Sequence, residues 1–262
     1  MMRTLFAIFA FSATLLTPAR AAIQEREVEY TDGDVALRGV LVWDDAVSGP
    51  RPGVLVVHEW WGRNDYAKRR ATMLAELGYA AFAVDMYGTG KLTSDPAQAG
   101  AWAGALKNDR PAMRARVGAG LKAFQAQKDV VDPANLAAIG YCFGGTTVLE
   151  LARGGAPVKG VVSFHGALAT PTPADIAGYK GRILACHGAD DPYVPEAEVA
   201  GFVKEMRDAK SDWQFIHYAG AVHSFTSPSA GNDPSKGAAY HVEADRRSWR
   251  DMQGFLKDVL GR

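Results

Sequence analysis

The stretch that decides the fold is LAAIGYCFGG, residues 136–145. Its first half is an apolar run, which is typical of a strand buried on both faces of a parallel sheet. Its second half has the pattern Gly-x-Cys-x-Gly, and the residues that follow, 144–152, predict a helix. A strand, a tight turn and a helix in this order form the elbow that presents a nucleophile at the edge of a sheet. The sequence therefore predicts Cys142 as a catalytic nucleophile.

The glycines and the helix give this turn its chemistry. The chain passes close to itself on both sides of the elbow, so a Cβ at Gly140 or Gly144 would crowd the turn. The helix that follows directs its N-terminal N–H groups at the sulfur, which favours the thiolate over the thiol. The amide N–H of Phe143 is placed to stabilise an oxyanion. The alternative is an inert buried cysteine in an ordinary strand–helix turn.

Strand-like and helix-like segments alternate along the rest of the chain. Strands are predicted at residues 53–57, 79–84, 158–164, 182–186 and 213–218, and helices at 66–77, 97–127 with Pro111 dividing it, 195–209 and 239–260. This alternation predicts an α/β fold with a mainly parallel sheet covered by helices on both faces. Residues 25–30 and 35–42 flank an Asp-Gly turn, which predicts an antiparallel N-terminal hairpin at one edge.

Two later segments supply an acid and a base, each after a predicted strand. The first, CHGADDPYVP at residues 186–195, offers Asp190 and Asp191. We choose Asp191, which directly precedes the Pro-Tyr-Val-Pro run, although either aspartate could instead cap the next helix. The second, GAVHSF at residues 220–225, offers His223, with a surface loop histidine as its alternative. The chain order of nucleophile, acid and histidine matches that of catalytic triads in elbow-type hydrolases.

A further segment, VHEWWG at residues 57–62, ends a predicted buried strand. In elbow-type hydrolases the corresponding loop provides a second oxyanion donor, and the amide of Trp60 is the candidate here. The carboxylate of Glu59 points toward the same region. His58 and Glu59 could pair on a metal, but no further ligands follow at metal-site spacing, so we expect no metal and no cofactor.

These four segments resemble the dienelactone hydrolases, which are members of the α/β-hydrolase superfamily. The resemblance extends from about Val28 to the C-terminus, which implies a single α/β-hydrolase domain over residues 22–262. It implies cleavage of carboxylic esters or lactones by a Cys142–His223–Asp191 triad, with a small-molecule substrate. It also implies that Glu59 contacts the resting thiol and helps to deprotonate it when substrate arrives.

One departure from the family concerns substrate recognition. Family members that act on dienelactone hold its carboxylate with arginines, one of which lies four residues after the catalytic histidine. That position here is Ser227. Candidates for a second arginine, namely Arg110, Arg114 and Arg116, lie in the helical region after residue 96. The identity of the substrate therefore stays open.

Composition and the N-terminus suggest the protein's location and partners. Lysine plus arginine and aspartate plus glutamate both total 29, so the formal net charge is zero and nucleic acid is not expected as a partner. Arg3, the apolar residues 5–16 and the small residues around Arg20 predict a signal peptide cleaved after Ala21. We therefore expect a secreted or periplasmic protein that is free of the membrane after cleavage and is a monomer or weak oligomer.

Three alternatives to a thiol hydrolase remain. Cys142 and Cys186 could form a disulfide, but one strand should separate theirs, which places the two residues about 9 to 10 Å apart. The chain could be an inactive binding protein on a hydrolase scaffold, since fold alone does not imply activity. Cys142 could also serve as a redox thiol, although no second cysteine is placed to resolve it.

Overall fold

The structure is a computed structural model that describes residues 22–261. Its core is one sheet of eight strands in the order β1-β2-β4-β3-β5-β6-β7-β8. The strands are β1 (Ile23–Asp32), β2 (Val35–Asp44), β3 (Arg51–Val57), β4 (Ala80–Val84), β5 (Val131–Tyr141), β6 (Gly160–Phe164), β7 (Arg182–Gly188) and β8 (Asp212–Tyr218). The first two strands form an antiparallel hairpin, and β2 is antiparallel to β4. All other neighbours are parallel, which confirms the predicted fold class.

Helices cover both faces of the sheet. They are α1 (Asp65–Glu76), α2 (Pro96–Lys107), α3 (Arg110–Gln125), α4 (Phe143–Arg153), α5 (Glu196–Asp208) and α6 (Val242–Leu260). Side chains alternate between the faces along each buried strand, so Leu55 and Val57 lie in one hydrophobic cluster and Val54 and Val56 in the other. The first cluster includes side chains of α2 to α5, and the second includes those of α1 and α6.

The helical stretch predicted at residues 97–127 is two helices, but Pro111 does not mark the break. The break falls at Asn108 and Asp109, and Pro111 lies in the first turn of α3. A proline costs no hydrogen bond in the first turn, because the N–H it lacks would have no partner within the helix. Asp109 caps α3 by accepting a hydrogen bond from the amide of Ala112. A side-chain cap also explains why the last helix begins later than predicted, since His241 Nδ1 accepts from the amide of Ala244.

The parallel strands bring the functional segments to one edge of the sheet. Strands β3, β5, β6, β7 and β8 are paired in parallel register, so their carboxyl ends lie side by side. The loops that carry Glu59, Cys142, Asp191 and His223 each follow one of these ends. In open α/β sheets ligands bind at this edge.

The predicted signal peptide, residues 1–21, lies outside the described part of the chain. Within residues 22–261, no helix has both the length and the apolar character that crossing a membrane requires.

Candidate active site

Cys142 lies at a strained turn between β5 and α4. Its backbone adopts φ 53° and ψ −113°, a positive φ that is uncommon for a residue with a side chain. Gly140 and Gly144, on either side of Cys142, are required because a Cβ at either position would clash with nearby backbone atoms. A Cβ on Gly140 would lie 2.0 Å from the carbonyl oxygen of Gly144, and one on Gly144 would lie 2.3 Å from that of Val57. The turn therefore holds the sulfur, which is partly exposed, at the start of α4.

Cys142, His223 and Asp191 form a continuous hydrogen-bonded chain. Cys142 Sγ lies 3.1 Å from His223 Nε2, and His223 Nδ1 lies 2.8 Å from Asp191 Oδ2. The other carboxylate oxygen of Asp191 accepts a hydrogen bond from the amide of Tyr193 at 2.9 Å. Asp190 is exposed, so the structure places Asp191 rather than Asp190 beside the imidazole.

The charges around His223 favour its protonated form. Burial opposes a charge on the ring, but the adjacent Cys142 thiolate and the Asp191 carboxylate outweigh burial and raise the pKa of His223 well above its usual value. An imidazolium at this position stabilises a neighbouring thiolate. The arrangement can thus hold a charged nucleophile and a proton donor in contact.

The loop after β3 lies beside the sulfur and is held by His58. This ring is fully buried, with Nδ1 2.5 Å from the carbonyl oxygen of Glu59 and Nε2 accepting a hydrogen bond from the amide of Met86. Burial lowers the pKa of His58 to about 4, so the ring is neutral near pH 7. Trp60 and Phe143, the predicted oxyanion donors, both line the same cleft as Cys142. His58 therefore acts as a support for the loop, a role the sequence did not indicate.

The cleft above the sulfur has a volume of about 940 Å³ and a largely apolar wall. Trp60, Trp61, Leu92 and Tyr193 supply the large apolar surfaces. Leu92 and Tyr193 are 57% and 58% exposed, so apolar side chains are open to solvent at the cleft. A cleft of this size and lining suits a small apolar molecule.

A family model described as the dienelactone hydrolase family matches residues 37–260. The chain belongs to the dienelactone hydrolase family. It is therefore related to hydrolases, as the sequence motifs indicated.

Other relatives agree with this assignment. A crystal structure of a dienelactone hydrolase-like promiscuous phosphotriesterase from metagenomic libraries is 44% identical and has a TM-score of 0.87, covering 91% of this chain and 99% of that one. A Saccharolobus solfataricus protein named "Putative carboxymethylenebutenolidase" is 26% identical over 267 residues, or 90% of this chain and 99% of its own. The dienelactone hydrolase of Anabaena variabilis, 21% identical with a TM-score of 0.60 over 88% of this chain and 98% of its own, shows a similar fold.

Glu59 differs from what the resemblance to dienelactone hydrolases implied. In the described chain its carboxylate accepts hydrogen bonds from Ser224 Oγ at 3.5 Å and Ser227 Oγ at 3.4 Å, whereas the Cys142 sulfur contacts His223. The expected contact between Glu59 and the resting thiol is therefore not among the hydrogen bonds of residues 22–261. Burial raises the pKa of Glu59 to about 7, although the nearby His223 charge and the serine hydroxyls lower it.

The arginines that dienelactone hydrolases use to hold a carboxylate have no equivalent on the described wall of this cleft. Arg114 pairs with Glu150 and Asp175, and Arg116 pairs with Asp32. Arg110 donates to the carbonyl oxygen of Ala169. Among the lysines and arginines of residues 22–261, Lys107 alone lines the cleft. Ser227, at the sequence position where the resemblance implied the first arginine, donates to Glu59.

Sequence reasoning assigned no role to His165, yet the structure brings it to the centre of the site. This residue is fully buried, and its Nδ1 accepts a hydrogen bond from the amide of Cys142 at 3.1 Å. The signal was available in principle, since His165 follows the strand expected to lie beside that of Cys142.

Neither a disulfide nor a metal-binding cluster is present among residues 22–261. Cys142 and Cys186 are both free, and β6 lies between their strands as the sequence predicted. No group of three or more histidine, cysteine, aspartate or glutamate side chains among residues 22–261 could hold a metal ion.

Proposed function

We propose that this member of the dienelactone hydrolase family hydrolyses carboxylic esters or lactones by transferring the acyl group to Cys142. The observation that carries the proposal is the hydrogen-bonded chain Asp191–His223–Cys142, which ends at a partly exposed sulfur in the cleft. An acid, an imidazole and a nucleophile in such contact are the parts that covalent acyl transfer requires.

The reaction begins when the Cys142 thiolate attacks the ester carbonyl. A carbon–sulfur bond forms and the carbonyl electrons move to oxygen, where the amides of Phe143 and Trp60 donate hydrogen bonds. One such donor typically lowers the barrier by about 3 to 4 kcal/mol. The His223 imidazolium then gives its proton to the leaving alkoxide, which departs and leaves a thioester.

Water completes the cycle. Neutral His223 takes a proton from water, and the resulting hydroxide attacks the thioester carbonyl. The carbon–sulfur bond breaks, which returns the thiolate and the imidazolium and releases a carboxylic acid, whose proton is then lost to solvent. For a lactone substrate the leaving alcohol stays attached to the acid product.

The cleft favours uncharged, apolar esters as substrates. Its wall contains Trp60, Trp61, Leu92 and Tyr193, and the serine at position 227 stands where an arginine would hold a carboxylate. Glu59 also lines the cleft, and its carboxylate, when ionised, opposes a substrate carboxylate there. Substrate selection thus rests on apolar burial.

A hydrolysis screen tests this proposal. Neutral p-nitrophenyl esters of increasing acyl length are compared with carboxylate-bearing lactones, using wild type and Cys142→Ala. We expect turnover of the neutral esters at higher kcat/KM and loss of turnover in the variant. Undiminished turnover in Cys142→Ala would remove the cysteine from the mechanism. Binding without turnover by folded wild type would favour an inactive binding protein, and oxidant-dependent modification without turnover would favour a redox thiol.

A second candidate function is the hydrolysis of phosphate triesters. The observation that favours it is the 44% identity with a structure described as a promiscuous phosphotriesterase. A phosphate triester is neutral, so it requires no arginine clamp. The thiolate would attack phosphorus, an aryloxide would leave, and water would cleave the phosphorus–sulfur bond. Release of p-nitrophenol from diethyl p-nitrophenyl phosphate, lost in Cys142→Ala, would establish this activity.

Export is part of the proposed function and rests on the sequence. Arg3, the apolar residues 5–16 and the small residues before position 22 support cleavage after Ala21. Fractionation of expressing cells and N-terminal sequencing test it. We expect a secreted or periplasmic protein that begins at Ala22, and a cytoplasmic protein with an intact N-terminus would contradict export.

A further inference from the structure

His165 connects the loop that carries Cys142 to the loop that carries His223. Its Nδ1 accepts a hydrogen bond at 3.1 Å from the amide of Cys142, which it shares with the Phe164 carbonyl oxygen at 3.0 Å, and its Nε2 lies 2.7 Å from Thr226 Oγ1. Thr226 lies three residues after His223 in the chain. One buried ring therefore spans the gap between the nucleophile's loop and the imidazole's loop.

The fold holds this ring in an unusual backbone conformation. Tyr141 and Phe164 are register partners on β5 and β6, so Cys142 and His165 follow neighbouring strand ends. His165 has a φ of 40°, in the left-handed region, while its amide donates to the carbonyl oxygen of Cys186. A residue with a side chain adopts such a φ only where its surroundings demand it.

The hydrogen bonds select one tautomer of His165. Because Nδ1 accepts from the Cys142 amide, the ring proton lies on Nε2 and is donated to Thr226 Oγ1. Burial lowers the pKa of His165 well below its usual value, and the charges of His223, Arg70 and His187 act in the same direction. The neutral ring lies edge-on to the His223 ring at 5.3 Å between centroids. It thus adds no competing positive charge beside the His223 imidazolium.

Thr226 is fixed from its other side as well. Tyr66 Oη lies 2.7 Å from Thr226 Oγ1, and Arg70 donates to the Thr226 carbonyl oxygen at 2.8 Å. Arg70 is in turn paired with Asp245 of α6 at 2.5 Å. The ring of His165 is therefore hydrogen-bonded to Thr226, a residue that Tyr66 and Arg70 also hold in place.

We propose that His165 is a positioning residue that sets the separation of Cys142 Sγ and His223 Nε2. It makes no hydrogen bond to the reacting Sγ of Cys142 or Nε2 of His223 and acts through the Cys142 amide, Thr226 and its edge-on packing against the His223 ring. The inference rests on the proposed function only in assigning the Cys142–His223 pair to catalysis. The contact of that pair, 3.1 Å in the structure, can be measured without an ester substrate.

The test is the pH dependence of Cys142 alkylation by iodoacetamide, followed by mass spectrometry of the Cys142 peptide. His165→Asn keeps an acceptor near the Cys142 amide but does not reach Thr226, and Thr226→Val removes the hydroxyl while keeping the shape. We expect each variant to slow alkylation at pH 6.5 by about tenfold, and to lower kcat for an activated ester similarly with KM within about twofold. The double variant should be no slower than either single variant, because both remove the same bond.

Tyr66→Phe is the matched control. It removes the hydroxyl that contacts Thr226 Oγ1, the Thr226 carbonyl oxygen and Arg70, but it leaves the His165–Thr226 bond in place. We expect it to lower the melting temperature as the test variants do, while its alkylation profile stays within about twofold of wild type.

His223→Gln separates this inference from the proposed function. If His223→Gln leaves alkylation unchanged, the thiolate–imidazolium pair itself is wrong, and the proposed function fails. If His223→Gln slows alkylation while His165→Asn and Thr226→Val lose stability but retain the wild-type profile and kcat, His165 is structural and the inference is overturned.

Discussion

Asp191 Oδ2 lies 2.8 Å from His223 Nδ1, whereas the neighbouring Asp190 carboxylate is exposed to solvent. This difference gives a prediction with a built-in control. Asp191→Asn should lower kcat by about a thousandfold or more, because an amide can donate to Nδ1 and stabilise the wrong tautomer of His223. Asp190→Asn makes the same chemical change one residue away and should stay within about twofold. Steady-state kinetics on an activated ester measures both, and equal losses would contradict the assignment.

A second prediction concerns the close approach of the chain at Gly144. A Cβ there would lie 2.3 Å from the carbonyl oxygen of Val57 and 2.7 Å from that of His58. Because backbone atoms of β3 cannot shift without disturbing the sheet, Gly144→Ala should lower the free energy of unfolding by about 3 kcal/mol or more. Gly118→Ala, in α3 with no atom near its added Cβ, should raise it by up to about 1 kcal/mol. Urea denaturation of the two variants tests the contrast, and similar losses in both would contradict it.

A third prediction follows from the backbone strain at Cys142. Its φ of 53° disfavours any residue with a Cβ, so Cys142→Gly should be more stable than Cys142→Ala by about 1 kcal/mol. In the middle of a helix the order is reversed, and alanine is more stabilising than glycine. At the exposed Ala115 of α3, a glycine should cost about 1 kcal/mol relative to alanine.

Melting temperatures of Cys142→Gly, Cys142→Ala and Ala115→Gly test this third prediction together with wild type. If glycine is the less stable residue at both positions, the elbow is not strained in solution.

The sequence predicted the α/β class and the place of the candidate site because both depend on local pattern and strand order. Buried apolar runs predict strands, and parallel strands must end at a common edge. The turn glycines around Cys142 identify the elbow before any coordinates are known. Segments distant in sequence, such as those of Cys142 and His223, then meet because the strands that they follow, β5 and β8, end at the same edge of one sheet.

What the sequence did not predict depends on side-chain direction across the site. His165 resembles an ordinary histidine after a strand, and the sequence gives no sign of the positive φ from which its ring reaches the Cys142 amide. Glu59 was expected against the thiol, but its carboxylate accepts hydrogen bonds from Ser224 and Ser227 instead. Ser227 is itself the departure from the family pattern.

Glu59 gives the last prediction, because burial raises its pKa from 4.5 to about 7. The folded protein therefore binds this proton more tightly than the unfolded chain does. Below about pH 4.5 Glu59 is protonated in both states and does not change the free energy of unfolding. As the pH rises toward 7 its ionisation lowers the free energy of unfolding by an increasing amount, and above pH 7 that loss is constant.

Glu59→Gln keeps the shape and the hydrogen bonds to the serine hydroxyls but cannot ionise. The pKa shift corresponds to an upper limit of about 3 kcal/mol, so the variant should be more stable than wild type by about 2 kcal/mol at pH 8.5. At pH 4, where Glu59 is protonated in both states, the two proteins should have nearly the same free energy of unfolding. Urea denaturation at both pH values measures the difference. Because every other titrating group is shared, the pH dependence of that difference reports the ionisation of Glu59 together with its coupling to His223. A stability gap of equal size at pH 4 and pH 8.5 would show that Glu59 ionises in the folded protein as freely as in the unfolded chain.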